Sequence, residues 1–354
     1  MHQTIVDWFC LINSPKIGPK TFWSLLRGYG TAEESLKHIQ NRFPQKEAEK
    51  ILGSFKGKII IASDNNFPKE LRRSTSCPPM LFYYGNENLL KNTKIAIIGA
   101  RNSSLNGKSM AYQISRDLSN YFTIVSGLAR GIDTSAHLGA LKNNMNTIAI
   151  LPFSFNNVYP KENQKLFDQI KEWGLVITEV PPHKNPDQGM FHARNRIISL
   201  LSRGMIVIEA ALKSGSLATA KIALDIGTEV MAVPGSPTDP RSRGCNLLIK
   251  NGAPLIESYL DVLDIIKPDI NNNIDNTSQL KFENNEIECS ISDSIDIKEK
   301  ILSLLSDSPT PIDIIQMTLN IPMKDLLYYI SELEIMGAIT KCSTNEIVLR
   351  KIYE

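Results

Sequence analysis

The chain has 354 residues, 42% hydrophobic and 21% charged, the make-up of an ordinary globular protein with room for two or three domains. Its formal charge of +2 conceals an asymmetry: residues 268–294 hold six acids and one lysine, net −5, which leaves +7 for the remainder, a balance that can attract a polyanion. Five scattered cysteines without a CxxC pair point to neither a disulfide framework nor a zinc site and fit reduced thiols in a cytoplasm; no basic leader and no membrane-spanning apolar run is visible.

Residues 1–57 read as a small helical domain, because apolar residues recur at helical spacing through "IVDWFCLINS", "KTFWSLLRGYG" and "AEESLKHI". Ile17-Gly18-Pro19 makes a tight turn into a helix. Such a turn either packs two helices or offers backbone N–H groups to a phosphate, as helix-hairpin-helix and SAM-like modules do.

From residue 58 the pattern alternates. "KIIIA" and "MLFYY" read as strands feeding a sheet, followed by "KIAIIG", "FTIVSG", "NTIAIL", "LVITEV", "GMIVIEA" and "TEVMAVPG". Helical patterns separate the later strands at 104–120, 132–143, 161–173, 190–203, 216–227 and 243–251. Continuous apolar strands with intervening helices predict an α/β domain over 58–267, an extended Rossmann-like parallel sheet covered on both faces. Ligands of such sheets sit at the carboxyl ends of the strands, so those loops carry the argument.

The loop after "KIAIIG" has one glycine, Gly99, and then Ala100, Arg101, Asn102 and Ser103, where a dinucleotide site would place two further glycines. The next, "SGLARGIDTSAH", offers Gly127, Arg130 and Gly131, with Asp133 or Thr134 as a cap for the following helix. "FHARNRIISLL" brings Phe191, Arg194, Asn195 and Arg196. Lys213, Ser214, Gly215 and Ser216 form a polar loop at a helix start, an anion site by construction. Gly235, Arg241 and Arg243 reach the same edge. These loops read as a ring of grips for several phosphates. The carboxylates near them have structural readings: Asp133 as an N-cap, Glu209 as the partner of an arginine, and Glu179 at a strand end. His137 reads as a core or capping residue. No triad, metal-ligand spacing or P-loop accompanies them, so no cofactor and no catalyst is expected.

Residues 268–294, rich in Asn and Ser, read as an acidic linker. Residues 295–354 give three helical patterns and two short strands, with Pro311 at a helix start and Gly337 past a helix end, the order of a winged helix. Its third helix, "MKDLLYYISELEIMG", carries Lys324 against Asp325, Glu332 and Glu334, so protein contact or regulation is expected there in preference to groove reading.

The segments "IAIIGARNSS", "VSGLARGIDTSAHLGAL", "ARNRIISLLS", "VIEAALKSGSLATAKIALDIGTEVMAVPG" and "GCNLLIKNGA" resemble the DNA-processing protein A family, also called DprA or Smf, over most of residues 94–256. The resemblance implies a dimeric, non-enzymatic protein that binds single-stranded DNA through its Rossmann-like domain and loads a RecA-type recombinase in natural transformation. Its motifs fall on Gly99, Ala100 and Arg101, on Arg194, Asn195 and Arg196, and on Lys213 to Ser216; together with the loops read above, the expected strand contacts are Gly99, Arg101, Asn102, Ser103, Gly127, Arg130, Gly131, Phe191, Arg194, Asn195, Arg196, Lys213, Ser214, Gly215, Ser216 and Gly235. The chain departs from the family's pattern at Ala100, where serine is frequent, and at His192, where proline is usual. The alternative is a nucleotide-binding or nucleotide-cleaving Rossmann-like enzyme or sensor. Such enzymes carry PGGxGTxxE, and the nearest match here, "VPGSPTDP", lacks the glutamate.

Overall fold

The computed structural model describes residues 3–156, 158–184 and 189–267 and, in a second unit, 301–302, 305, 310–319, 322–335, 338–343 and 346–349. The acidic stretch 268–294 lies outside the described residues.

Four helices open the first unit: α1 (Gln3–Asn13), α2 (Pro19–Tyr29), α3 (Ala32–Lys37) and α4 (Gln45–Ser54). Their apolar stripes meet in an aromatic cluster in which Trp8 lies 5.0 Å from Phe22 and 5.8 Å from Trp23, ring centre to ring centre. Gly18 stands before α2 with Pro19 in its first turn, where a missing N–H costs nothing. Trp23 Nε1 donates to the Cys77 carbonyl at 2.8 Å and ties these helices to the α/β part of the chain.

All eight expected strands form one sheet: β1 (Lys58–Ile61), β2 (Met80–Gly85), β3 (Lys94–Gly99), β4 (Thr123–Ser126), β5 (Thr147–Ile150), β6 (Leu175–Thr178), β7 (Gly204–Ile208) and β8 (Glu229–Ala232), in the order β1-β2-β6-β5-β4-β3-β7-β8. The six strands from β3 to β8 are mutually parallel, while β2 joins β6, and β1 joins β2, antiparallel. The connecting helices are α5 (Lys69–Arg72), α6 (Leu105–Leu118), α7 (Ile132–Asn143), α8 (Gln164–Trp173), α9 (Gly189–Leu201), α10 (Gly215–Asp225), α11 (Arg243–Lys250) and α12 (Tyr259–Ile265). Strands β3 to β7 are buried on both faces, which is why they read as unbroken apolar runs. Ile95 and Ile97 pack against Ile114, Ile132 and Val262 on one side. Ala96 and Ile98 pack against Ile197, Leu217 and Cys245 on the other. Each such Ile or Leu, fully buried, contributes about 1.5–3 kcal/mol.

Helices α6 and α7 touch backbone to backbone. A Cβ at Gly139 would strike the Tyr112 carbonyl, so only glycine permits the approach. At the far end of the pair Asn143 Nδ2 donates to Arg116 O (3.1 Å) and Asn120 Oδ1 (2.9 Å), and Asn146 Nδ2 donates to Ser119 O (3.1 Å). These asparagines satisfy carbonyls that the end of α6 leaves without helical partners.

The second unit holds helices Ile312–Leu319 and Met323–Ile335 and strands Ile339–Ser343, Glu346–Leu349 and Thr310–Pro311 in a three-stranded sheet around Ile315, Leu326, Ile330 and Ile347. This order is compatible with the winged-helix expectation. Most of that module's first helix, and Gly337, lie outside the described residues.

Candidate functional site

The carboxyl ends of β3, β4, β5 and β7 open into two adjoining cavities. The smaller, about 280 Å³, is lined by Arg101, Asn102, Gly127, Arg130, Tyr159 and Phe191 among others. The larger, about 550 Å³, extends over Gly99, Asn195, Ser214, Gly215, Ser216 and Arg241. Arg101, Asn102, Ala129, Phe191 and Arg194 line both, so the two are halves of one groove. A bar divides them: the Arg101 guanidinium lies over the Phe191 ring, 5.4 Å from its centre, and Tyr159 meets Phe191 edge-on at 6.5 Å.

The sequence placed a set of arginines here as equivalent phosphate grips, and the structure separates them. Arg101 is exposed, with no ion pair among the described residues. Arg194 is 6% exposed. Its Nη1 donates to the Ile150 carbonyl at 3.0 Å, and the guanidinium occupies the space that a side chain at position 127 would need. Gly127 therefore makes room for Arg194. Burial pulls the Arg194 pKa down to about 10, against the pull of neighbouring Asp133, so the guanidinium stays charged at neutral pH. Arg130 is held by Glu162 (Nε–Oε1 2.5 Å, Nη2–Oε2 2.8 Å) and Arg241 by Asp239 (Nη2–Oδ2 2.8 Å). Arg196 faces away from the groove. It pairs with Glu179 at 2.5 Å and lines a separate cavity of about 380 Å³, beside Ile12, Ile17 and Lys20.

Helical geometry explains the split along α9. Residues 191, 194, 195 and 198 face the groove, while 190, 193 and 196 face the cavity under the N-terminal helices. The Gly18 turn opens onto that second cavity.

Two carboxylates do other work than the sequence suggests. Asp133 is not the N-cap of α7, where Gly131 stands at φ +76°. Its buried carboxylate accepts from Gly127 N (3.1 Å) and Ala129 N (3.3 Å) and fixes the loop before the helix. Thr134 likewise donates to the Ala129 carbonyl at 2.7 Å and caps nothing. Glu209 forms no ion pair with an arginine among the described residues. It accepts from the backbone N–H of Ser104 at 2.8 Å and from the Ser104 hydroxyl, beside the N-terminal end of α6, which a carboxylate stabilises. His137 is fully buried as a core residue, Nδ1 lying 2.7 Å from Thr147 Oγ1, and burial lowers its pKa to about 3.

The hydroxyls of the Lys213–Ser216 loop serve the fold. Ser214 caps α10 by accepting from Leu217 N (3.2 Å), and Ser216 donates to the Gly99 carbonyl at 2.6 Å, joining β3 to α10. Lys213 is exposed. Ser103 Oγ is buried with no hydrogen-bond partner. Gly235 lies outside the groove lining and exchanges two hydrogen bonds with the Asn246 side chain. Residues the sequence reading passed over complete the site. Tyr159, Pro152 and Pro160 wall the smaller cavity. Asn163 Nδ2 donates to the Leu128 carbonyl at 2.9 Å and braces the neighbouring loop. The signal was available: the loop after β5 also ends at the carboxyl edge.

At the carboxyl ends of its strands the Rossmann-like sheet thus presents a cationic groove barred by an aromatic ring. The chain belongs to the DNA recombination-mediator protein A family, whose model matches residues 58–267; a DprA-like N-terminal HHH domain matches residues 2–47. It is 44% identical over 200 residues to the DNA processing protein DprA of Streptococcus pneumoniae, covering 56% of this chain and 71% of that one. To the protein Smf of Escherichia coli it is 32% identical over 314 residues, 87% and 83% of the two chains. The solved S. pneumoniae DprA structure superposes with a TM-score of 0.61 at 40% identity, covering 66% of this chain and 80% of that one. The Helicobacter pylori DNA processing protein A structure, described by its single-stranded DNA binding mode, gives 0.55 at 30% identity, covering 60% and 96%.

Proposed function

We propose that this chain binds single-stranded DNA along the groove and delivers it to a RecA-type recombinase as a homodimer, without catalysing a reaction on the strand. The carrying observation is the Arg101–Phe191 bar. A guanidinium fork for a phosphate stands beside a ring face for a base, the combination that single strands need because their bases are unpaired. The family relationship and the H. pylori relative's described binding mode support the same reading. The absence of catalysis is supported by the structural employment of Asp133, Glu179 and Glu209. A dimer through the Rossmann-like domain is supported by the edge position of β8 and by the exposed side chains Leu224, Ile226, Leu247 and Leu255 near that edge. Among the described residues no helix is long and apolar enough to cross a membrane, and a cytoplasmic setting belongs to the proposal.

The test is fluorescence anisotropy with a labelled poly-dT strand and with a duplex of equal length. Tight binding of the strand and weak binding of the duplex is the expected result. Equal binding of the two, or none, overturns the reading.

A further inference from the structure

We propose that Glu162 and Asp239, at opposite ends of the groove, are exchangeable stand-ins for DNA phosphates: they hold Arg130 and Arg241 in the free protein and release them to an arriving strand. The proposal rests on the single-strand reading above and concerns what sets the affinity of that site.

The two pairs share one geometry. Glu162 fills the Nε–Nη2 edge of Arg130 with both oxygens, at 2.5 and 2.8 Å. Asp239 fills the same edge of Arg241, with Oδ1 3.0 Å from Nε and Oδ2 2.8 Å from Nη2. That is the two-point fork by which a guanidinium takes a phosphate, so the carboxylate and the phosphate compete for one set of donors. The pairs are also well placed, since Arg130 lines only the smaller cavity and Arg241 only the larger. Between them stands Arg101, with no ion pair among the described residues.

Exposure decides that these pairs exchange. The side chains of Arg130 and Glu162 are each 55% exposed, and those of Arg241 and Asp239 are 42% and 26% exposed. Ion pairs at such sites contribute little net stability, so replacing one anion by another is cheap. The Arg196–Glu179 pair is the contrast. Its side chains are 16% and 17% exposed and it faces another cavity, so exchange there is costlier. Held in this way, Arg130 and Arg241 are kept in ordered rotamers while their charge is masked. The site stays weaker than its arginine count implies, which suits a protein that must surrender its strand.

The experiment uses the full chain and a labelled poly-dT strand, with anisotropy read over a series of salt concentrations. Glu162→Gln is expected to tighten binding about two- to fivefold at low salt, the equivalent of one exposed ion pair. It should also steepen the slope of log affinity against log salt by up to about 0.7, because no displaced carboxylate is then left to take up a cation in place of the one the phosphate releases. Glu172→Gln, which removes an exposed carboxylate outside the groove lining, gives the baseline for charge alone. In an Arg130→Ala background the gain from Glu162→Gln should fall to that baseline. The pair Asp239→Asn and Arg241→Ala should repeat the cycle at the other end. A Glu162→Gln gain no larger than that of Glu172→Gln, or one that survives Arg130→Ala, overturns the exchange and leaves only a long-range field. A parent chain that does not bind poly-dT overturns the single-strand reading together with this one, whereas a parent that binds with flat cycles sinks the exchange alone.

Discussion

The rim and the floor of the groove are built from the same residue type to different ends. Arg101 on the rim is exposed and leans on Phe191. Arg194 on the floor is sealed beneath it, with Ile150 O as acceptor and Asp133 as neighbouring countercharge. A guanidinium in water is free to take a phosphate. One that has lost its water is held in place by whatever replaced that water, and removing it strands the buried partner. The difference teaches that the groove's charge is part grip and part framework, and that variants should divide cleanly between binding and stability.

The largest expected effect tests the floor. Arg194→Ala should destabilise the fold by about 3–5 kcal/mol, because Asp133 is then left buried without its countercharge. Urea denaturation measures this. Replacing Arg194 and Asp133 together by apolar residues of similar size should recover much of the loss. A stable Arg194→Ala variant that merely binds DNA less well would erase the distinction between floor and rim.

Arg101→Ala tests the rim. It should weaken poly-dT binding by about 1–3 kcal/mol and flatten the salt slope by about 0.7, with an unchanged urea midpoint. Arg101→Lys should restore the slope and only part of the affinity, since a point charge replaces a fork.

His137 sharpens the comparison by pH. Its folded pKa of about 3 lies below the unfolded value near 6.5, so the unfolded chain binds more protons between those limits. Stability from this group is therefore present above pH 6.5 and is lost as pH falls towards 3. Between pH 7 and 5.5 the loss should be about 1 kcal/mol. Subtracting the profile of His137→Gln isolates it from Asp133 and Glu179, whose burial raises their pKa values and acts in the opposite sense. The smallest effect is that of Lys213→Ala. An exposed point charge should change poly-dT affinity by about 0.5 kcal/mol and leave the urea midpoint alone.

The sheet was legible because strands β3 to β7 are buried on both faces, and two-sided burial writes itself as unbroken apolar runs such as Ile95–Ile98. The edge where the site lies followed from the α/β alternation. The division of labour among the arginines did not follow, because it depends on what crosses between distant loops. Arg194 is buried because Gly127, on another strand's loop, leaves a slot for it. Arg130 is masked by Glu162, 32 positions further along the chain. Glu209 was visible as a carboxylate at a strand end. Its φ of +54° and its reach to Ser104, 105 positions away, were not.

The clamp between α6 and α7 bears on the thermodynamics of capture. These helices begin directly after the loops that carry Arg101 and Arg130, and they are locked along their length by the Gly139 contact and at the far end by the asparagine net. The loops therefore lose their conformational freedom when the chain folds, before any strand arrives. What is left to order on association is the strand itself and a few exposed side chains. Calorimetry should accordingly find an entropic penalty that grows with the number of nucleotides bound and changes little with the protein's own loops.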